Sequence, residues 1–432
     1  MERELIALLG FIALALLLVI RVPIGIAMAV VGVGGFAAIS GVGPALRLLS
    51  LAPIRTATDY NLAMIPLFVL MGVFANATGM SRELFRAANA WMGHLKGGLA
   101  MATISSCGGF AAISGSSVAT AATMTKVALP EMRRYRYPDS MATGVIAAGG
   151  TVGILIPPSI VLAVYGIITE QDIGKLFIAG LIPGVMAVLL YLLTVRLIAA
   201  LRPDALPAGE RASWAERFAA LRGVWSMLLL FAMIVGGLYS GLVTPTEAAA
   251  LGAVGAFAIG VARGRLGPRL ILDCLVEALR TSVTIFVVFI GAALFGYFLT
   301  ITQVPQHVSS FLGDLPVEPI VVMLLILLLY LVLGCFLEPV SMLLLTVPIL
   351  FPVVTGLGFD PIWFGIIVVV TVELGLITPP IGMNVFVMKS VARDVPLGTI
   401  FRGVMPFVLT DLLRLGLLVA FPAIALYLPG RM

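Results

Sequence analysis

The sequence predicts an all-α polytopic membrane protein made of two halves with one plan. Three observations predict it. The chain is 61% hydrophobic and 11% charged, where a soluble domain carries roughly 25% charged residues, and its mean hydropathy is +1.16. Uncharged runs cover 22–46, 97–125, 140–169, 223–246 and 281–313, each longer than the ~20 apolar residues that a spanning helix needs. Finally, the Pro-Pro pair at 157–158 returns at 379–380, inside matching Gly-rich sequence.

Residues 5–20 and 22–39 read as the first two spans, divided at Arg21. Residues 5–20 are followed by Arg21-Val22-Pro23 and no small-residue cleavage site, which predicts a retained span and not a signal peptide. Residues 43–60 carry Arg47, Arg55 and Asp59 and suit an interfacial helix; 61–78 spans; 81–96 is a second surface-lying helix. The apolar stretches 97–113 and 117–129 flank Ser114-Gly115-Ser116-Ser117, which predicts a re-entrant hairpin. Residues 139–169 form a crossing interrupted after Gly149, Gly150 and Gly153, because Pro157 and Pro158 remove two amide donors. Residues 175–199 span, and 201–222 is a cytoplasmic loop.

The second half repeats this order. Residues 223–242 span, and Thr244-Pro245-Thr246-Glu247 starts the next span with a capping box. Residues 263–280 are basic and amphipathic, 281–301 span, and 305–313 form a short surface helix. A second hairpin, 319–355, turns about Leu337-Glu338-Pro339; 360–392 is a second broken helix, interrupted at Gly375 to Pro380; a last span lies within 403–428.

An offset of 222 carries Pro23, Pro130, Gly153, Pro157 and Pro158 onto Pro245, Pro352, Gly375, Pro379 and Pro380. At this proline content a random offset aligns roughly one pair by chance. Residues 1–200 and 223–432 are therefore two repeats. The turns at 133–136 and 263–269 and the loop 196–222 are basic, hence cytoplasmic, while 170–172 and 314–318 are acidic, hence outside. The repeats are then inverted, with ten full spans, two hairpins and both termini outside. Inverted repeats with discontinuous helices are the architecture of secondary transporters, whose sites lie at midplane between the repeats.

Irregular backbone within a membrane lines a protein-enclosed cavity, and its carbonyls and hydroxyls are hard ligands suited to a bare alkali cation. Ser114, Gly115, Ser116 and Ser117 with Gly149, Gly150, Thr151 and Gly153 form one candidate cation site. Gly334, Leu337 and Glu338 with Thr371, Gly375 and Thr378 form its inverted partner. The competing reading of these small residues is close helix packing. Ser116, Pro157, Pro158, Pro379, Pro380 and Asn384 are the candidate substrate cavity, where helix N-termini suit an anionic substrate. Glu338 and Glu373 are acids in apolar surroundings, candidates for function, for a neutral protonated form or for a structural hydrogen bond. Asp411 and Arg414, three apart, can neutralise each other, and Lys389 either faces the cavity or snorkels to the interface.

The net charge of +5 is the positive-inside excess of a membrane protein and not a nucleic-acid footprint. Cys107, Cys274 and Cys335 are isolated, and His94 and His307 are the only histidines, so neither a transition-metal site nor a histidine-assisted serine hydrolase at Ser114 or Ser116 is expected. There is no P-loop, and a channel needs no inverted pair of broken helices.

The segments Ser114-Gly-Ser-Ser-Val-Ala-Thr, Lys126 to Met132, Gly153-Ile-Leu-Ile-Pro-Pro-Ser159, Thr244-Pro-Thr-Glu-Ala248, Leu337-Glu-Pro339 and Gly375-Leu-Ile-Thr-Pro-Pro-Ile-Gly-Met-Asn384 resemble the DctM-like large membrane subunit of tripartite ATP-independent periplasmic (TRAP) transporters. The resemblance covers nearly the whole chain. It implies an elevator-type transporter, not an enzyme, in the cytoplasmic (inner) membrane of a bacterium or archaeon. It implies Na+-coupled symport of an organic acid such as a C4-dicarboxylate or sialic acid. It also implies a small four-span membrane subunit, here expected as a separate polypeptide, and a periplasmic substrate-binding protein. The family's sodium sites lie at the hairpins and broken helices, matching the cavities argued above. A self-sufficient ion-coupled anion symporter of the related superfamily is the alternative.

Overall fold

The computed structural model describes residues 3–203, 206–313 and 316–432. Asp314, part of the acidic segment used above for orientation, lies outside them. The first half contains α1 (Arg3–Val19), α2 (Ile24–Ser40), α3 (Val42–Ala57), α4 (Met64–Ala77), α5 (Met80–Met92), α6 (Gly98–Ser114), α7 (Ser117–Arg134), α8 (Asp139–Thr151), α9 (Ile160–Thr169) and α10 (Ile173–Leu201). The second contains α11 (Trp214–Tyr239), α12 (Pro245–Ala262), α13 (Pro268–Thr302), α14 (Val304–Gly313), α15 (Pro319–Gly334), α16 (Pro339–Gly356), α17 (Pro361–Ile377), α18 (Met383–Val391), α19 (Leu397–Ala420) and α20 (Ala423–Leu426). The prolines and glycines read as breakers stand at these boundaries. α7 and α16 are 222 residues apart at both ends, and α8 and α17 at their starts.

The core is built on the broken segments. In α17 every residue from Trp363 to Ile377 is buried, and in α8 every residue from Met141 to Thr151. The hairpin α6–α7 packs on α8, and α15 packs on α17. A second group pairs α2 with α13 and α4 with α12. Such all-round apolar helices need partners on every side, which explains why α17 lies among α15, α19, α10 and α8.

Three expectations change. Residues 268–280 of the amphipathic segment and the span 281–301 are one continuous helix, α13, of 35 residues. No breaker interrupts it, and Thr281, Ser282 and Thr284 return their hydroxyls to carbonyls one turn back. At the matching place in the first half, α3 and the segment 61–77 bend by 60°. There Thr58 Oγ1 donates to Ile54 O and Asp59 Oδ1 accepts from Asn61 N, two local bonds that end a helix. The loop 201–222 is shorter than expected, because Ser213 and Glu216 form a capping box that starts α11 at Trp214. The Thr244–Glu247 box has both of its hydrogen bonds.

Among the described residues, six helices are long and apolar enough to cross a membrane: α10, α11, α12, α13, α16 and α19. A bent crossing made of α3 and 61–77 gives a seventh. The count is below the ten spans expected because α1 and α2 have 17 residues each and the two interrupted spans are each divided into short helices. α16, expected as a hairpin arm, passes the same length test, since length and apolarity do not separate a re-entrant arm from a span.

Candidate functional site

Each hairpin tip is closed against its own broken helix. Gly115 ends α6 in the left-handed region (φ +60°), where a residue without Cβ is unstrained. A Cβ there would come 3.2 Å from Pro158 O. Ser114 Oγ is 2.9 Å from Thr120 Oγ1, and Thr120 Oγ1 donates to Ser116 O at 2.8 Å. Ser116 Oγ caps α7 by accepting from Ala119 N. Across from the tip, a Cβ on Gly150 would meet Ser117 O at 3.2 Å, one on Gly149 would meet Cys107 Sγ at 2.8 Å, and Gly153 lies on Ala111. Of the eight residues assigned to the first cation site, Ser117 and Gly150 touch across the hairpin and the broken helix, whereas Gly149 and Gly153 lie on Cys107 and Ala111, farther from the tip along α6. Thr151 turns away: its hydroxyl donates to Ala148 O and faces Tyr191 on α10 at 3.4 Å. Thr120, one turn beyond Ser116 and fully buried, supplies a hydroxyl the assignment lacked.

The second hairpin repeats the contact with different chemistry. Gly334 and Gly375 touch through their backbones: a Cβ on Gly375 would sit 2.6 Å from Gly334 C. Gly382 N donates to Cys335 O at 3.3 Å, and Cys335 Sγ lies 3.4 Å from Pro379 O, so Cys335 ties the tip to the break. Both breaks contain a cis Pro-Pro bond. Glu338 is committed to structure: its carboxylate accepts from Val340 N, Ser341 N and Ser341 Oγ at 3.2, 3.0 and 3.1 Å, capping α16. Thr371 and Thr378 return their hydroxyls to Ile367 O and Leu374 O, and Leu337 is partly buried against the main core.

Both tips open on one cavity of about 830 Å³. Ser114 to Ala119 line it from the first hairpin, Glu338 to Ser341 from the second, and Asn76, Thr281 and Thr284 from the α4–α13 side. The N-termini of α7, α16 and α9 therefore reach one space; the first N–H groups of α7 and α9 favour an anion there, while those of α16 are taken by Glu338. Of the residues assigned to the substrate cavity, Ser116 lines this one; Pro157, Pro158, Pro379, Pro380 and Asn384 do not. Asn384 is instead fully buried, with neither amide atom hydrogen-bonded.

Behind the breaks lies a buried charge cluster. Arg414 Nη2 donates to Glu373 Oε2 at 2.9 Å and approaches Asp411 Oδ1 at 3.1 Å without hydrogen-bond alignment. Tyr191 donates to Asp411 Oδ2. All four side chains are 0–1% exposed. Asp411 and Arg414 do meet, but Arg414 also holds Glu373 from α17, so the group pins α10, α17 and α19 together. Lys389 is neither free nor facing the cavity: Nζ donates to Arg393 O and Val395 O at 2.5 and 2.8 Å. On the same side, Arg133 at the end of α7 bonds Asp139 at 2.7 Å and Asp394 at 2.6 Å. It thereby links the first hairpin to the start of the first broken helix and to the loop that follows the second, and holds the Asp394 carboxyl below its ordinary range.

The sequence profile of the family described as "Tripartite ATP-independent periplasmic transporter, DctM component" matches residues 11–424. The C4-dicarboxylate TRAP transporter large permease protein DctM of Pseudomonas aeruginosa is 40% identical over 388 residues, covering 89% of this chain and 90% of the relative. The sialic acid TRAP transporter large permease protein SiaM of Vibrio cholerae is 35% identical, with 86% of each chain covered. Among solved structures, the YdaH transporter of Alcanivorax borkumensis superposes with a TM-score of 0.63 at 18% identity, over 87% of this chain and 88% of that one.

Proposed function

The chain belongs to the DctM component family of tripartite ATP-independent periplasmic transporters, and from that premise we propose that it imports a small organic acid by sodium coupling. The observation that carries the proposal is the shared cavity, on which two hairpin tips and three helix N-termini converge. The carboxylate of the substrate binds at the N-termini of α7 and α9, because the first N–H groups of α16 go to Glu338. One Na+ sits among the oxygens of Ser114, Ser116, Ser117 and Thr120 and the backbone of Gly149, Gly150 and Gly153. A second sits where residues 334–338 meet the break after Gly375. The relatives named above carry C4-dicarboxylate and sialic acid in their names, and both are carboxylates. The hairpins and broken helices move as one elevator body, tied by Arg133 and the Arg414 cluster, against the α2–α4–α12–α13 group. A small four-span membrane subunit and a periplasmic substrate-binding protein complete the transporter in the inner membrane.

The two halves are inverted repeats with both termini outside. Single cysteines at Arg134, the last residue of α7, and at Thr355, in the last turn of α16, are then labelled by a membrane-impermeant maleimide from opposite faces. Labelling from one face contradicts the inversion.

Sodium coupling is tested by reconstituting the chain with its small subunit and binding protein in liposomes. Uptake is expected under an imposed Na+ gradient without ATP, and is expected to fall to background in choline buffer. Equal uptake in both buffers, with no proton gradient, contradicts the coupling.

A further inference from the structure

Two arginines are buried in the described residues, and they differ. Arg414 meets two carboxylates. Arg217, 5% exposed, meets none within 4.0 Å among the described residues. Its guanidinium lies 5.0 Å from the ring centre of Trp214 and 5.8 Å from that of Trp91, and its one polar contact among the described residues is Nη2 to His94 Nδ1 at 3.4 Å. Arg217 Nε and Trp91 Nε1 are buried donors without acceptors among the described residues. Cation–π contact compensates part of the desolvation. It leaves both donors unpaired, which is costly when no acceptor is in reach.

The surroundings say what kind of acceptor fits. Trp214, Phe218, Leu221, Trp225 and Leu228 follow one another at steps of four and three along α11 and are all exposed. They form one apolar stripe, which in a spanning helix faces lipid. Its aromatic end is the first turn of α11, beside the polar segment 206–213, the level at which Trp residues mark the membrane–water boundary. Arg217 stands at that level, its guanidinium against the indole of Trp214, so a charged group there lies at headgroup depth while the stripe below takes an acyl chain. Basic pockets at this depth bind anionic headgroups.

We propose that Arg217, Trp91, His94, Trp214 and Phe218 form a binding site for the phosphate of an anionic phospholipid, whose acyl chain lies along the exposed face of α11. The site is separate from the transport cavity, none of whose lining residues it shares. It anchors the C-terminal end of α5 and the start of α11 to the bilayer.

The test is native mass spectrometry of the full chain with its small subunit, titrated with dioleoylphosphatidylglycerol or dioleoylphosphatidylcholine. The wild type is expected to take up phosphatidylglycerol saturably and in preference to phosphatidylcholine. Arg217→Gln weakens the phosphatidylglycerol adduct about tenfold or more, the loss of a charge-assisted bond, whereas Arg211→Gln leaves it unchanged. If Arg217→Gln does not fold, Trp214→Leu/Phe218→Leu, which alters only exposed side chains, is expected to weaken the same adduct. Four results overturn the proposal: no preference between the lipids, no loss in whichever of these variants folds, displacement of the lipid by millimolar inorganic phosphate, or no adduct because the small subunit supplies a carboxylate to Arg217.

Discussion

Gly375→Leu is expected to abolish transport and to lower the melting temperature of the assembled protein. The cause is backbone against backbone. A Cβ at Gly375 would lie 2.6 Å from Gly334 C and 2.7 Å from Gly334 Cα, and no flexible side chain stands between to give way. Overpacking a core typically costs ~1–3 kcal/mol. Here it also pushes the second hairpin off its broken helix, where the proposed cation site is. Ser116→Leu is expected to separate the two effects. Ser116 faces the cavity, so a larger side chain has room, and the stability cost is chiefly the lost cap to Ala119 N, about 1 kcal/mol. Its transport is nevertheless expected to vanish, because the leucine fills the mouth of the first site. Gly416→Ala, with nothing within 4 Å of the new Cβ, is expected to behave as wild type. Thermal unfolding in detergent and uptake in liposomes, measured on all three, check the account. Active Ser116→Leu protein would remove the first site.

Arg414→Met is expected to destabilise the fold by ~3–5 kcal/mol, the usual cost of removing one partner from a buried ion pair. Glu373 and Asp411, both fully buried, are left as two carboxylates with no cation, across an interface shared by α17 and α19. Replacing the whole group at once, Glu373→Gln with Asp411→Asn and Arg414→Met, is expected to recover most of that loss, since uncharged residues of similar volume need no counter-ion. Differential scanning fluorimetry of the single and triple variants decides this. A single variant as stable as wild type would mean that the cluster holds nothing together.

Much of the architecture was legible because breakers are local. Pro157-Pro158 and Pro379-Pro380, with the glycines before them, end helices by removing donors and freeing the backbone, and no tertiary context is needed to read them. The Ser114–Ser117 tip and the Glu338 turn were legible for the same reason. What escaped was set by distance along the chain. Arg414 shows its neighbour Asp411 at three residues, but its hydrogen bond goes to Glu373, 41 residues away on another helix. Tyr191 gives no local sign that it will reach Asp411. Thr151 looked like a ligand because it adjoins Gly150, yet the helix rotation turns its hydroxyl to Tyr191. Prolines and proposed cavity residues also diverged: Pro157 and Pro379 shape the breaks without lining the space that the hairpin tips enclose.

Sodium at the two hairpins is the centre of the account, and equilibrium binding of 22Na+ to the purified complex tests it most directly. The account predicts saturable binding to the wild type, reduced by about half in the number of sites in Ser116→Leu and unchanged in Gly416→Ala. Absence of saturable binding to the wild type, or full binding by Ser116→Leu, would contradict it.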